Sequence, residues 1–174
     1  MQRVSLFSLV RFLFSNFVAL TYFVKTSIKV KNIVTKIKQI TTSQVLPIRH
    51  KVMWPNKPIE YVQLPNDEIA KHVGLFVHGE IASIISLFEE NNEVQFRKFA
   101  TLIKFQGLGY GTILLNEIIA LLQKKGIKKV WCNARVEKAK FYERFNLKPT
   151  HKKFVKGGIE YVIMENTFES TSLN

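Results

Sequence analysis

Cysteine is almost missing from this 174-residue chain. Cys132 stands alone, so no intrachain disulfide can form and no cysteine-based metal site is expected. A reducing compartment suits that usage. Acidic residues are scarce too: Asp and Glu number 13 against 26 Lys and Arg, none occurs before Glu60, and the formal net charge is +13. Such a charge opens three kinds of partner: nucleic acid, a membrane surface or an acidic ligand. The lysines are dispersed, and the aromatics sit inside apolar runs rather than between basic residues. That speaks against nucleic acid and for a basic solvated face. No His, Cys, Asp and Glu cluster has metal-ligand spacing, so no metal is expected. A hydrophobic content of 47% beside a charged content of 22% excludes a disordered chain, and the length suits one domain with a real core.

Residues 1–31 differ from the rest. Val4 to Val24 is apolar and phenylalanine-rich, interrupted by Arg11 and Asn16, and followed by Lys25, Lys29 and Lys31. A membrane anchor, an organelle targeting peptide and a misassigned start all fit this N-terminal extension. Membrane association rests wholly on it. The expected location of the remainder is cytoplasmic. A domain is expected over residues 32–168, with 169–174 a polar tail.

Glycine is thinly spread over most of the chain but concentrated at one place: Gln106-Gly107-Leu108-Gly109-Tyr110-Gly111-Thr112. Before it, Val94 to Phe105 is rich in β-formers, with an alternation irregular enough for a doubly buried strand or a bulge. After it, Ile113, Leu114, Ile118, Leu121 and Leu122 recur at helical spacing. Strand, glycine loop and helix in that order present unpaired backbone N–H groups to an anion such as a phosphate or pyrophosphate. No lysine precedes Thr112, so this is not a Walker loop. The third glycine comes too early, and the next strand carries no acid, for a dinucleotide fingerprint.

The rest of the chain reads as strands and helices in alternation. Val34–Ile40 is the first strand, and Thr41, Thr42 or Ser43 caps a helix over Val45–Met53. Residues 55–68 form a proline-containing loop. His72–Val77 and Ile81–Phe88 are strands joined through His78-Gly79-Glu80, with a second turn at Glu89–Glu93. Ile127–Asn133 is a strand expected to lie parallel to the central one. Thr150–Val155 and Ile159–Glu165 form a hairpin about Gly157-Gly158. His72 and His78 are candidate substrate contacts or bases, or simply strand ends.

Gln106, Gly109 and Gly111 fill the pattern Gln/Arg-x-x-Gly-x-Gly/Ala. Asn133, Ala134, Phe141 and Tyr142 fill a second, Asn-Ala-x-x-x-x-x-x-Phe-Tyr, one helix and one strand further on. Together they resemble the GNAT superfamily of N-acetyltransferases, over residues 33–167. Asn146-Leu147 replaces that family's Gly-Phe, a mild change because Asn tolerates the left-handed conformation. The resemblance implies an α/β GNAT acyl-CoA N-acyltransferase fold: a mixed central sheet of about seven strands with about four helices. It implies acetyl-CoA as co-substrate, an amine-bearing small molecule as acceptor, and a monomer or homodimer. Gln106, Gly107, Leu108, Gly109, Tyr110, Gly111 and Thr112 would then hold the pyrophosphate. Phe99 and Thr101 would pair with the pantetheine arm and polarise the thioester, Asn133 would complete the coenzyme site, and Tyr142 would be the general acid. The alternative for Tyr142 is a packed aromatic. Arg49 and His50 match an Arg-His found in one subgroup and, with His72, become candidate acceptor contacts. Trp54 is a candidate cleft residue. Glu80, Glu93, His72 or a water chain could serve as base. Cys132, with no partner His on its strand, is not a convincing nucleophile. A catalytically inactive acyl-CoA-binding module is the competing class; such a module needs the loop but not Tyr142.

Overall fold

The computed structural model describes residues 29, 30 and 33–168. The expectations for residues 1–28 and for the tail at 169–174 lie outside the described residues. One mixed sheet organises the molecule. Its strands are β1 (Lys29–Val30), β2 (Ile33–Ile40), β3 (Lys71–Val77), β4 (Glu80–Glu90), β5 (Glu93–Thr101), β6 (Lys129–Arg135), β7 (Lys148–Lys156) and β8 (Ile159–Thr167). The spatial order is β1-β2-β3-β4-β5-β6-β8-β7, and every neighbouring pair is antiparallel except β5 with β6. Three α-helices accompany it among the described residues: α1 (Thr42–Met53), α2 (Tyr110–Lys124) and α3 (Ala139–Glu143). The loop at 55–68 carries only a 3-10 turn at Ile59–Val62. No helix among the described residues is long and apolar enough to cross a membrane.

The tight turns follow from local chemistry. His78 and Gly79 take φ 48° and 87°, and Asn91 and Asn92 take 50° and 62°. Two successive residues of positive φ match the twist of a two-residue hairpin, and Asn and Gly reach that region at low cost. Lys125-Gly126-Ile127 ends α2 as the sequence suggests. Gly126 N–H donates to the Gln123 carbonyl at 2.9 Å and Ile127 N–H to the Leu122 carbonyl at 3.1 Å, with Gly126 at φ 72°. That is a Schellman cap, and it satisfies carbonyls the helix leaves open. At the start of α1, Thr41 N–H donates to Gln44 Oε1 at 2.9 Å.

The two faces of the sheet are covered differently. Val73, Leu75, Ile85, Leu87, Val94 and Phe96 pack under Leu114, Leu115, Ile118 and Leu122 of α2. Ile40, Ile84 and Ala100 pack on the other face with Val45 and Ile48 of α1. Ile84 and Ile85 are adjacent yet serve opposite faces, as a period of two requires.

Two departures shape the site. The central strand stops at Thr101 rather than Phe105. Leu102 N–H donates to the Ala82 carbonyl at 2.9 Å, and the chain then turns as a 3-10 element, Ile103–Phe105. The Phe105 ring meets Tyr110 edge-on with centroids 5.8 Å apart, inside the range of about 4.5–7 Å that such pairs prefer. The expected irregularity of β5 is a bulge at Lys98, φ 52°, where the register with β4 shifts between Ile84 and Ser86. Past Gln95, β5 no longer pairs with β6: their register covers only Glu93–Gln95 against Lys129–Trp131. A wedge therefore opens in the middle of the sheet toward the glycine loop.

Candidate active site

The wedge ends at residues 106–111. Gly107 and Gly109 take φ 75° and 82°, where a side chain would be strained, and open space surrounds both positions. Gly111 is needed for another reason: a Cβ there would lie 3.0 Å from Thr101 Oγ1 and 3.2 Å from Phe99 Cζ. Its absence lets the first turn of α2 sit directly on the end of β5. Gln106 Nε2 donates to the Thr101 carbonyl at 2.9 Å, tying the loop to the same strand end. Thr101 Oγ1 lies 3.0 Å from Ser83 Oγ, which donates to the Ala100 carbonyl. The first helical bond closes from Ile113 N–H to the Gly109 carbonyl. The N–H groups before Ile113 thus have no place in the helix ladder, and no acidic side chain occupies the first turn. Positive potential, free donors and open space coincide there, a combination suited to a pyrophosphate.

Aromatic rings line the wedge. Phe99 stacks on Phe141 at 6.0 Å, and Tyr142 lies 5.8 Å from Phe96 and 5.2 Å from Phe141. So Gly111, Phe99, Phe141, Tyr142 and Phe96 form one contiguous wall. Asn146 takes φ 60° and caps the turn after α3, with Leu147 N–H reaching back to the Tyr142 carbonyl. Burial, reinforced by Cys132 and opposed by Arg135, pushes the Tyr142 phenol above its ordinary range, so it keeps its proton at neutral pH. No described group hydrogen-bonds its hydroxyl. Asn133 stands exposed on β6 opposite Ile163. The Cys132 thiol is buried and likewise pushed up, which makes it a core residue.

The acceptor candidates fall into different surroundings. Arg49 and His72 are both buried, and each is held in one hydrogen-bond network. Arg49 Nη1 donates to Asp67 Oδ2 at 2.7 Å, and Nη2 to Asp67 Oδ1 and Ser86 Oγ, each at 2.8 Å. Nη1 also reaches the Val62 carbonyl at 3.2 Å, while Nε has no partner. His72 Nε2 lies 2.9 Å from the Asp67 carbonyl and Nδ1 lies 2.8 Å from Ser86 Oγ. A carbonyl can only accept, so Nε2 carries the proton and Nδ1 accepts from Ser86. Burial lowers the His72 pKa, consistent with that neutral tautomer. A buried guanidinium needs a carboxylate, and Asp67 supplies one. This network pins the loop at 55–70 to α1 and β4. His50 Nε2 donates to the Lys57 carbonyl at 2.6 Å, closing the chain beyond α1, and Trp54 meets Tyr61 edge-on at 5.2 Å. His78 is exposed on its turn. Of the acids weighed as a base, Glu80 pairs with Lys104 and Glu93 with Lys129. Asp67 and Ser86 were not foreseen. Asp67 stands in the polar turn Asn66-Asp67 beside a second acid, Glu68, so nothing local singles it out.

Comparisons with known proteins agree with the geometry. The family model described as acetyltransferase (GNAT) domain matches residues 41–168. The uncharacterized N-acetyltransferase YitI of Bacillus subtilis (strain 168) is 27% identical over 146 residues, covering 78% of this chain and 98% of its own length. Among solved structures, the ribosomal-protein-S18-alanine N-acetyltransferase from Escherichia coli superimposes with a TM-score of 0.64 at 17% identity. It covers 80% of this chain and 99% of its own. A GNAT family acetyltransferase from Elizabethkingia anophelis with acetyl-CoA bound gives 0.60 at 15% identity, covering 77% and 98%.

Proposed function

The chain belongs to the GNAT acetyltransferase family, whose members transfer an acyl group from acetyl-CoA, and we propose that it acetylates an amine by direct attack in a ternary complex. The carrying observation is the wedge between β5 and β6, which leads from the Tyr142 wall to the glycine loop. In this reading the pyrophosphate rests on the N–H groups of Gly107 to Thr112. The pantetheine arm lies along the unpaired edge of β5 from Phe99 to Thr101, and Asn133 flanks it from β6. A backbone N–H of that edge polarises the thioester carbonyl as negative charge grows on its oxygen. The amine nitrogen bonds to the carbonyl carbon, the carbon–sulfur bond breaks, and Tyr142 gives its proton to the departing thiolate. Solvent takes the proton that the amine sheds, and positioning both reactants in one cleft supplies much of the acceleration.

Calorimetry of the full chain with acetyl-CoA tests the first half. Micromolar binding is expected, weakened about 100-fold or more in Gly109→Glu/Gly111→Glu, which sets two carboxylates and two side chains where the anion would lie. A folded protein that does not bind acetyl-CoA, or a double variant that binds as tightly as wild type, sinks the reading. An inactive acyl-CoA binder would bind identically and acetylate nothing.

A further inference from the structure

Lys98 is the residue that the site as described leaves unused. It stands at the β5 bulge, one position before Phe99, with φ 52°. A lysine seldom adopts that conformation, and bulges recur beside active sites because they re-aim a side chain. Its side chain is partly buried, and it makes no side-chain hydrogen bond or ion pair with any described residue. Cations surround it. Burial lowers its pKa, Arg49 from α1 and Lys156 from the tip of the β7–β8 hairpin repel its charge and lower it further, and Asp67 alone opposes them. That carboxylate is already held by both Nη atoms of Arg49. Arg97, next in the strand, also feels Asp67 and is held by Gln95 Oε1. One carboxylate, already committed to Arg49, thus offsets the charges of Lys98 and Arg97 as well, and Arg49 Nε lacks even a neutral acceptor. A half-buried cation among like charges is stabilised by an anion that arrives with a ligand.

We propose that Lys98, with Lys156 of the β7–β8 hairpin, recognises a carboxylate on the acceptor, so that the protein acetylates amino-carboxylates in preference to neutral amines. This rests on the acetyl-transfer reading above and names its acceptor class. Lys98 adjoins the backbone assigned to the thioester, so a carboxylate bound there brings an amine a few bonds away to the reacting carbon. The same positive field disfavours an ammonium and so delivers the amine in its nucleophilic form.

The test is initial-rate kinetics of the full chain with acetyl-CoA. The acceptors are the common L-amino acids against their α-carboxamides, and β-alanine and 4-aminobutyrate against propylamine and butylamine. Wild type should favour the carboxylates by about tenfold or more in kcat/KM, the worth of one charge-assisted hydrogen bond. Lys98→Met should erase that preference through KM, with acetyl-CoA affinity unchanged, and Lys98→Arg should restore part of it. Equal rates on acids and amides, or a preference that survives Lys98→Met, would overturn the assignment. So would a protein that binds acetyl-CoA yet acetylates no carboxylate in the panel. Failure to bind acetyl-CoA would instead bring down the acetyl-transfer reading, and this one with it.

Discussion

Replacing Arg49 with methionine should cost the fold about 3–5 kcal/mol, the usual penalty for leaving one member of a buried ion pair without the other. Asp67 would keep the Leu64 N–H at 2.8 Å but lose both guanidinium donors, and Ser86 would lose one. For a chain of this length that is a fall of roughly 10 °C in Tm. Arg49→Met/Asp67→Leu should recover much of the loss, because removing both charges removes the need for either. Urea denaturation in a double-mutant cycle reads this directly. Strictly additive losses would mean that the pair is not coupled as its geometry implies.

The pH dependence of stability has a definite sign. Burial alone would raise the Asp67 pKa, but Arg49 and the Leu64 N–H outweigh it and hold it below the ordinary 3.8. Its contribution is complete above that value and is lost as the pH falls through the lower folded-state pKa. His72 is depressed below its ordinary 6.5, chiefly by burial. Below pH 6.5 the unfolded chain therefore takes up a proton that the folded chain refuses, and stability declines. The unfolding free energy should start to drop just below pH 6.5 and drop again below pH 3.8. In Asp67→Asn, the second fall should shrink.

Tyr142→Phe should lower kcat by about 10²–10⁴-fold, the range for losing a positioned general acid. The affinity for acetyl-CoA should barely move. So should stability, since the ring keeps Phe96 and Phe141 as neighbours and the hydroxyl has no hydrogen bond among the described groups to lose. Because its pKa is raised, the phenol stays protonated through the alkaline range used for such assays, and no alkaline limb should arise from it. Steady-state rates with the best acceptor of the panel decide the matter. A variant within threefold of wild type would make Tyr142 a packing residue, as the aromatic wall alone could justify.

Much of this was legible in the sequence because it is local. His78-Gly79, Gly157-Gly158 and Gly126 announce turns through their own backbone freedom. Gly107 to Gly111 needs only a strand before it and a helix after it to become a tight turn at a helix start, and Phe141-Tyr142 follows one helix and one strand further on. What escaped notice depends on partners far along the chain. Arg49 meets Asp67 across 18 residues and Ser86 across 37, and neither spacing has any periodicity to betray it. A buried arginine and a solvated one look alike until the loop folds over. The broken alternation of β5 hinted at a bulge but did not say which residue occupies it, because that depends on the register with β4. Leu102 to Phe105 has strand composition, but the Leu102–Ala82 bond and the Phe105–Tyr110 contact turn it aside.

The wedge also has a mechanical side. A sheet joined along its whole length behaves as one plate. Here the plate is creased, because β1–β5 and β6–β8 are laced together over only Glu93–Gln95 and Lys129–Trp131, with side-chain packing carrying the rest. A ligand strand slotted into that crease would act as a rivet between two leaves. Its binding energy would then appear chiefly as resistance of the smaller leaf, β6–β8, to local opening.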